Sequence, residues 1–291
     1  MAAIEVAGLT KRYGETVANE DLTFDVESGE IFGYLGPNGA GKTTTIRTLL
    51  GFQSPTAGTA RLLGHDVRDE GDLLAAKADL GYLPGDPAFD GSVTGRTVLD
   101  YQASLKGDTR RDELLELFDP PLDRKIRAYS SGNRQMLGIV QTFMHDPDLV
   151  VMDEPTSGLD PLKQGLLNDF LRTERDRGVT VFFSSHVLSE VRQVCDRVGI
   201  IRDGELVALE DVETLLRRGG KRVRVTTREA LTEADLELDG VVEFEQVGET
   251  TQFTYTGDYN DLLNALSAFE LLDLEIDEPP LEDVFMHFYG E

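Results

Sequence analysis

Nine consecutive residues carry the pattern with the clearest chemical consequence, GPNGAGKTT. The segment fits G-x-x-x-x-G-K-[ST], in which glycines let backbone N–H groups surround phosphates and the lysine supplies a point charge. Here the lysine is Lys42, and Thr43 is placed to ligate Mg²⁺. The pattern predicts a nucleotide phosphate site, against the alternative of a glycine-rich turn. The residues of this phosphate loop are Gly36, Pro37, Asn38, Gly39, Ala40, Gly41, Lys42, Thr43 and Thr44.

A second candidate is the segment DLVVMDEP at residues 148–155, an apolar strand that ends in two adjacent carboxylates. Parallel sheets place their functional groups at the carboxyl ends of the strands. Because successive side chains of a strand diverge, Asp153 can reach a Mg²⁺ ion beside Thr43, while Glu154 faces the place from which water would attack a phosphorus atom. Without the phosphate loop, the same pair would equally suit a solvated strand edge or a helix cap.

The elements that position these residues alternate between strand and helix. EIFGYLG precedes the phosphate loop and GKTTTIRTLLGF follows it, while VTVFFSSH leads into VLSEVRQVC. Strand, helix and strand in succession predict an α/β fold with a parallel sheet. Residues 86–146 are mainly helical by pattern and contain Pro120–Pro121, which predicts a helical insertion into this core.

The charge balance limits the partners of the chain. It has 28 Lys and Arg residues against 54 Asp and Glu, a net charge of -26 over 291 residues, so nucleic-acid binding by a basic face is not expected. The single cysteine, Cys195, excludes a disulfide framework and fits a reduced compartment. No apolar stretch approaches the roughly 18 residues of a membrane helix, so we expect no direct membrane insertion.

The type of basic residue points to the solvent. Only 7 of the 28 basic residues are lysines. In about 1 M salt the Debye length is about 3 Å, so self-repulsion of so acidic a chain is largely screened. We interpret the composition as adaptation to a salt-rich cytoplasm; an ordinary acidic protein is the alternative.

The excess charge also predicts a domain boundary. Residues 221–291 hold four basic and eighteen acidic residues, and Gly219–Gly220 follows the helix-like VETLLRR. We predict two domains, 1–219 and 220–291. The second is expected to be a small α+β module with strands at KRVRVTT, VVEFEQ, TQFTYT and LLDLEI, a helix at NDLLNALSAF and a last helix at LEDVFMHFY.

Further motifs in order along the chain give it a resemblance to the ATP-binding subunits of ABC transporters. YSSGNRQ, residues 129–135, is similar to the family signature LSGGQ, with Tyr129 for Leu, Ser131 for Gly and Asn133 for Gln. The resemblance implies a P-loop NTPase core of ABC type with a helical subdomain. It also implies that Ser130, Ser131, Gly132 and Asn133 contact ATP bound to the other subunit of a head-to-tail dimer.

Three more residues take roles from the same resemblance. Asp160 in TSGLD resembles the D-loop aspartate, expected at the dimer interface. His186 resembles the switch histidine that senses the γ-phosphate, and Tyr13 in KRYG resembles the aromatic residue that stacks on adenine. Taken alone, a histidine such as His186 after a strand is more often structural than catalytic, and Tyr13 would be a core or surface tyrosine.

One position departs from the family pattern. Family members carry a Gln after a strand ending like GYLP, and it links Mg²⁺ and the attacking water to the membrane subunit. Here Gly85 stands at that position and Asp86 follows. Either Asp86 makes a polar contact to the metal in its place, or backbone and water make the link.

The end of the chain, PPLEDVFMHFYG, resembles the appended domain of ABC-2-type exporters, for which we expect a stabilising or dimerising role. Together the motifs imply ATP hydrolysis with Mg²⁺, in a homodimer or heterodimer on the cytoplasmic face of the membrane. The expected partner is a separate permease, contacted through residues 86–120, that moves its substrate outward. A soluble ABC-type ATPase acting in translation or DNA repair is the alternative, and a P-loop kinase or GTPase comes third.

Overall fold

The structure, a computed structural model, describes residues 2–214, 220–228, 231–236, 238–248 and 250–277. The chain divides into two compact units, Met1–Glu210 and Asp211–Glu291. The sequence placed the boundary at Gly219–Gly220, of which Gly219 lies outside the described residues. The last predicted helix, LEDVFMHFY, lies outside them as well.

A six-stranded sheet forms the centre of the first unit, in the order β10-β9-β3-β8-β7-β6. The pairs β6–β7, β7–β8, β8–β3 and β3–β9 are parallel, which confirms the predicted α/β class. Its strands are β3 (Ile31–Leu35), β6 (Leu80–Leu83), β7 (Leu149–Asp153), β8 (Thr180–Ser185), β9 (Arg197–Arg202) and β10 (Glu205–Asp211).

Helices of the first unit follow or separate these strands. Three of them, α3, α4 and α5, lie within residues 86–146. The helices are α1 (Lys42–Leu49), α2 (Glu70–Ala78), α3 (Gly95–Lys106), α4 (Arg111–Phe118), α5 (Ser131–Phe143), α6 (Pro161–Asp176) and α7 (Leu188–Val194).

A second, antiparallel sheet in the first unit was not predicted. It has the order β2-β1-β4-β5, with β1 (Ala2–Tyr13), β2 (Thr16–Glu27), β4 (Ala57–Leu62) and β5 (His65–Asp66). Phe24 on β2 packs against Phe32 and Tyr34 on β3 and Phe182 on β8, with ring centroids 5.6 to 6.3 Å apart. This aromatic cluster fixes the antiparallel sheet against the central one and holds β3 and β8 in place.

The second unit has a four-stranded antiparallel sheet in the order β12-β13-β11-β14. Its buried core includes Val223 and Phe253 on strands that alternate apolar and polar residues, together with Leu262 on a helix. The elements are β11 (Lys221–Thr227), α8 (Glu233–Leu236), β12 (Val241–Val247), β13 (Thr250–Tyr255), α9 (Tyr259–Leu266) and β14 (Leu271–Asp277). No helix in the described ranges combines the length and the apolarity that crossing a bilayer requires.

Candidate active site

The phosphate loop lies between β3 and α1, as the sequence predicts. Gly39 and Gly41 have φ values of +87° and +109°, a region that L side chains rarely adopt. A Cβ atom on Gly36 would lie 2.3 Å from the carbonyl oxygen of Ile201 on β9. The loop therefore needs glycine at these positions, and the first turn of α1 points its free N–H groups towards it.

Lys42 is buried, with its side chain 6% exposed. Its Nζ donates hydrogen bonds to the carbonyl oxygens of Gly36 at 2.6 Å and Pro37 at 3.2 Å, and lies 3.9 Å from Oε1 of Glu154. Burial lowers the pKa of Lys42, and the carboxylates of Glu154 and Asp153 oppose that shift. The ammonium group is thus held at the loop by carbonyl oxygens and one nearby carboxylate.

A hydroxyl and a carboxylate meet beside the loop. Thr43 Oγ1 donates to Oδ2 of Asp153 at 3.2 Å, and Ser184 Oγ on β8 donates to Oδ1 of Asp153 at 2.5 Å. Hydroxyl and carboxylate oxygens suit Mg²⁺, which protein sites usually hold through one or two carboxylates together with phosphates. Among the described residues no group of three or more His, Cys, Asp or Glu side chains is placed to hold a metal ion.

Glu154 follows β7 directly and has an unusual backbone. Its φ is +49°, and its N–H donates to the carbonyl oxygen of Ser184 at 3.0 Å. Left-handed φ in a residue other than glycine is uncommon and clusters at functional sites. Oε1 of Glu154 lies 3.0 Å from Nδ1 of His186, which follows β8 and is 45% exposed. Parallel strands thus bring the predicted carboxylate and histidine together.

A cavity of about 180 Å³ lies in front of the phosphate loop. Lys42 and Glu154, which carry opposite charges, both line it, and Ala18 is the residue of β2 among the described lining residues. The described lining residues are Ala18, Pro37, Asn38, Gly39, Gly41, Lys42, Thr43, Thr44 and Glu154.

The signature-like segment lies elsewhere and is absent from the described lining of this cavity. Ser130 caps α5 and accepts a hydrogen bond from the N–H of Asn133 at 3.2 Å. A Cβ on Gly132 would lie 3.0 Å from the carbonyl oxygen of Gly158, so the segment packs closely on the TSGLD loop. Ser130 and Ser131 are exposed, a position that leaves their hydroxyls accessible to a partner.

Three predicted residues stand apart from the cavity. Asp160 is exposed and caps α6 by accepting from the N–H of Lys163 at 3.1 Å. Tyr13 is 49% exposed, and its hydroxyl bonds Oε1 of Gln53. Asp86 is exposed, and within the part of the chain that is described it makes no hydrogen bond or ion pair.

Two supporting side chains were not predicted. Ser184 holds Asp153, and Glu190 on α7 accepts from Thr156 Oγ1 at 2.6 Å and Ser185 Oγ at 2.7 Å. The adjacent serines before His186 were the available indication, because hydroxyls at the end of a buried strand need partners.

Comparison with known proteins identifies relatives of this chain. The family model described as ABC transporter matches residues 19–157. The bacitracin transport ATP-binding protein BcrA of Bacillus licheniformis is 32% identical, with 99% of this chain and 97% of that protein covered. The daunorubicin resistance ATP-binding protein DrrA3 of Streptomyces coeruleorubidus is 34% identical, with coverages of 99% and 96%.

Solved structures show the same fold. An ATP-binding subunit of an ABC transporter is 28% identical and has a TM-score of 0.68, covering 74% of this chain and 92% of its own. An ATP-binding cassette solved as a dimer in a post-hydrolysis state, with ADP and phosphate, is 20% identical and has a TM-score of 0.66 over 72% of this chain and 98% of its own.

Proposed function

The chain belongs to the family of ABC transporter ATP-binding proteins, and we propose that it is the ATP-hydrolysing subunit of an exporter whose membrane permease is a separate chain. The observation that carries the hydrolytic role is the position of Glu154, 3.9 Å from the ammonium of Lys42 and 3.0 Å from the imidazole of His186. A carboxylate held between a phosphate-binding cation and a histidine suits the orientation of an attacking water.

In the proposed mechanism the phosphate loop binds the triphosphate through its N–H groups, and Lys42 exchanges its carbonyl partners for phosphate oxygens. Thr43 and Asp153 would hold Mg²⁺, with Ser184 fixing the carboxylate of Asp153. The ion, when bound, neutralises charge on the phosphate oxygens. Asp86 is the candidate for a further polar contact, since its exposed side chain has freedom to move towards the metal.

Glu154 accepts a hydrogen bond from the attacking water and takes up its proton as the water oxygen bonds to the γ-phosphorus. The bond from that phosphorus to the bridging oxygen breaks, and ADP leaves with the electron pair. His186 keeps that carboxylate in place and meets the γ-phosphate. Both groups come from rigid strand ends, β7 and β8, and the strained φ of Glu154 orients its side chain towards the cavity. This arrangement supports general-base catalysis by Glu154, with His186 in a sensing and positioning role.

The proposed assembly is a head-to-tail dimer, of two copies or of two related chains, with ATP between the subunits. Ser130, Ser131, Gly132 and Asn133 open α5 and would offer hydroxyl and N–H donors to the ATP of the other subunit. The exposure of Ser130 and Ser131, and the absence of all four residues from the described lining of the cavity in their own chain, support this role. Asp160 would lie at the same interface, and Tyr13 would stack on adenine.

A permease would dock on the apolar surface around a second cavity of about 280 Å³. Phe52 lines this cavity and is 61% exposed, and Tyr101 and Leu105 on α3 are exposed beside the lining residues Gln102 and Lys106. Large exposed apolar side chains grouped in this way are typical of protein interfaces. Since α3 lies within residues 86–120, the surface supports the predicted contact region.

The finer assignments follow from the relatives and the composition. BcrA is named for bacitracin transport and DrrA3 for daunorubicin resistance, which supports an export role. We propose the ABC-2 type from the resemblance of the segment PPLEDVFMHFYG, with the chain on the cytoplasmic face of the membrane. We assign ATPase activity to residues 1–219 and an accessory role, stabilising or dimerising, to 220–291. The charge of -26 supports a salt-rich host cell.

Turnover of ATP tests the proposal directly. The purified chain should release phosphate from ATP in the presence of Mg²⁺, and Lys42→Ala should lose most nucleotide affinity because the loop loses its buried cation. Ser130→Arg should abolish hydrolysis while leaving ATP binding by the monomer nearly intact. Wild-type hydrolysis in Lys42→Ala would contradict the assigned phosphate site, and normal hydrolysis in Ser130→Arg would contradict the shared one.

A further inference from the structure

Two consecutive peptide units of the phosphate loop are held from behind by groups outside the loop. The N–H of Gly204 donates to the carbonyl oxygen of Ala40 at 3.0 Å, and Nδ2 of Asn19 donates to the carbonyl oxygen of Gly41 at 3.3 Å. In a planar trans peptide the C=O and N–H groups point in opposite directions. Holding these two carbonyls therefore sets the direction of the N–H groups of Gly41 and Lys42.

Those two N–H groups belong to residues that line the cavity. Within the described part of the chain, no backbone acceptor takes a hydrogen bond from the N–H of Gly41 or Lys42. The groups therefore remain available to an anion in the cavity, and their orientation depends on the contacts made on the other side of the same peptide planes.

The turn that supplies Gly204 is itself anchored. It joins β9 to β10, and its residues Asp203 and Gly204 have φ values of +52° and +86°. The carbonyl oxygen of Gly204 accepts from the N–H of Glu20 on β2 at 2.8 Å. A Cβ on Gly204 would lie 2.9 Å from the carbonyl oxygen of Ala18, so only glycine allows the turn to approach so closely. Strand β2 thus holds both donors against the loop.

Asn19 is fully buried, and its Oδ1 atom has no hydrogen-bond partner among the residues that the structure describes. A buried acceptor without a partner destabilises a fold, and an apolar side chain of the same size would avoid that cost. The carbonyl oxygen of Gly41 does not need Asn19, because it also accepts from the N–H and the hydroxyl of Thr45 at 2.9 and 3.2 Å. What the amide adds is a lateral contact that fixes the Gly41 carbonyl in direction.

We propose that Asn19 and the Asp203–Gly204 turn position the phosphate loop, aiming the N–H groups of Gly41 and Lys42 at the phosphates of a nucleotide. The inference rests on the proposed function of the loop. Asn19 is a positioning residue, since it acts through Gly41 and does not line the cavity. The buried Oδ1 of Asn19 lowers the stability of the fold, and the amide of the same side chain increases the affinity of the loop for phosphate.

The test is Asn19→Leu, which keeps the side-chain size and removes the donor. Loss of one hydrogen bond of ordinary net strength corresponds to a rise of roughly three- to tenfold in Kd. We expect that rise for ATP and for ADP, which present phosphates to the loop, and no change for adenosine, measured by competition. The melting temperature should stay level or increase, because the unsatisfied oxygen is gone.

Asn168 offers a matched control. It is also a buried asparagine whose Oδ1 has no hydrogen-bond partner in the described ranges, but its Nδ2 on α6 donates to Oε1 of Gln193 on α7. Asn168→Leu should leave all three affinities unchanged. Should leucine not fit at residue 19, Asn19→Ser withdraws the amide from Gly41 and carries the same expectation.

Hydrogen exchange of the nucleotide-free protein separates this inference from the proposed function. Residues 36–44 should exchange faster in Asn19→Leu than in the wild type, whether or not the protein binds ATP. Failure of the wild type to bind ATP would refute the proposed function alone. Unchanged exchange of the loop, equal losses for adenosine and ATP, or an equal loss in Asn168→Leu would overturn the role of Asn19.

Discussion

Replacing Glu154 by Gln separates nucleotide binding from hydrolysis. The substitution keeps the shape of the side chain and the hydrogen-bonding reach to His186, which is 3.0 Å away, but removes the negative charge and the basic oxygen. A general base contributes roughly 10²- to 10⁴-fold to the rate of the step it assists. We expect kcat for ATP hydrolysis to fall by about that factor.

The effect on affinity should have the opposite sign. The carboxylate of Glu154 lies 3.9 Å from the ammonium of Lys42, a separation at which two unit charges interact by about 1 kcal/mol in water and about 4 kcal/mol at an effective dielectric of 20. Because the Glu154 side chain is 30% exposed, the lower figure applies. Neutralising Glu154 removes its attraction for the ammonium of Lys42, which then binds phosphate more readily. The Kd for ATP should lie between the wild-type value and a value roughly fivefold lower.

Three measurements are needed: phosphate release at saturating ATP, the Kd of ATP, and the oligomeric state with ATP and Mg²⁺. Glu154→Gln should accumulate as an ATP-bound dimer, since the water is no longer activated while the phosphates are still held. Glu116→Gln, at an exposed position of α4, removes one charge without touching the site and should behave as wild type. Wild-type turnover by Glu154→Gln would refute the assigned role, and so would a loss of affinity as large as the loss of turnover.

Four further outcomes follow from described contacts. Ser184→Ala removes the hydrogen-bond donor to the carboxylate of Asp153, which ends β7. Its kcat/KM should fall about tenfold or more, since hydrogen bonds to charged groups contribute about 1.5–3 kcal/mol, and an unchanged kcat/KM would contradict this. Arg110 pairs with the fully buried Glu174, so Arg110→Met alone should lower the free energy of unfolding by about 3–5 kcal/mol and the double Met variant by much less, measured by urea denaturation. Burial, aided by the charge of Lys106, lowers the pKa of His145 from 6.5 to about 4. The neutral ring therefore favours the folded state above pH 6.5, and this contribution to stability is lost as the pH falls to 4. Melting temperatures of His145→Gln should decline less over this interval than those of the wild type. Thermal midpoints should rise between dilute buffer and molar KCl, and a flat series would remove the salt-rich interpretation.

The sequence predicts those site residues that belong to a continuous local motif. A phosphate loop is one continuous segment whose strand, glycines and helix are all adjacent in the chain, and Asp153 and Glu154 follow an apolar strand directly. Their meeting at one sheet edge follows from parallel pairing alone, because β3, β7 and β8 are neighbours whose carboxyl ends coincide. The α/β class and the contact between Thr43 and Asp153 could therefore be predicted from the sequence.

What was missed depends on contacts between distant segments. The antiparallel sheet is formed by pairing β1 with β2 and with β4, a register that local composition does not specify. Asn19 is one of several polar residues of β2, and nothing in its neighbours along the chain indicates that it lies behind Gly41. Ser184 reads as the end of a buried strand until its neighbour in the sheet, Asp153, is known.

The net charge of the chain and the charges that line its cavity act on a nucleotide at different distances. A protein of -26 repels free nucleotides at long range, yet in the described lining of the cavity Lys42 stands against the single carboxylate of Glu154. Phosphate affinity must then arise from groups within hydrogen-bonding distance. These are the ammonium of Lys42 and the backbone N–H groups of the two peptide units whose carbonyl oxygens accept from Asn19 and Gly204. Surface repulsion is screened beyond a Debye length of about 3 Å in 1 M salt, whereas close contacts to a buried group such as the ammonium of Lys42 are screened much less. High salt would thus remove the obstacle to an anionic ligand while leaving its binding groups effective, which explains how so acidic a surface is compatible with a phosphate site.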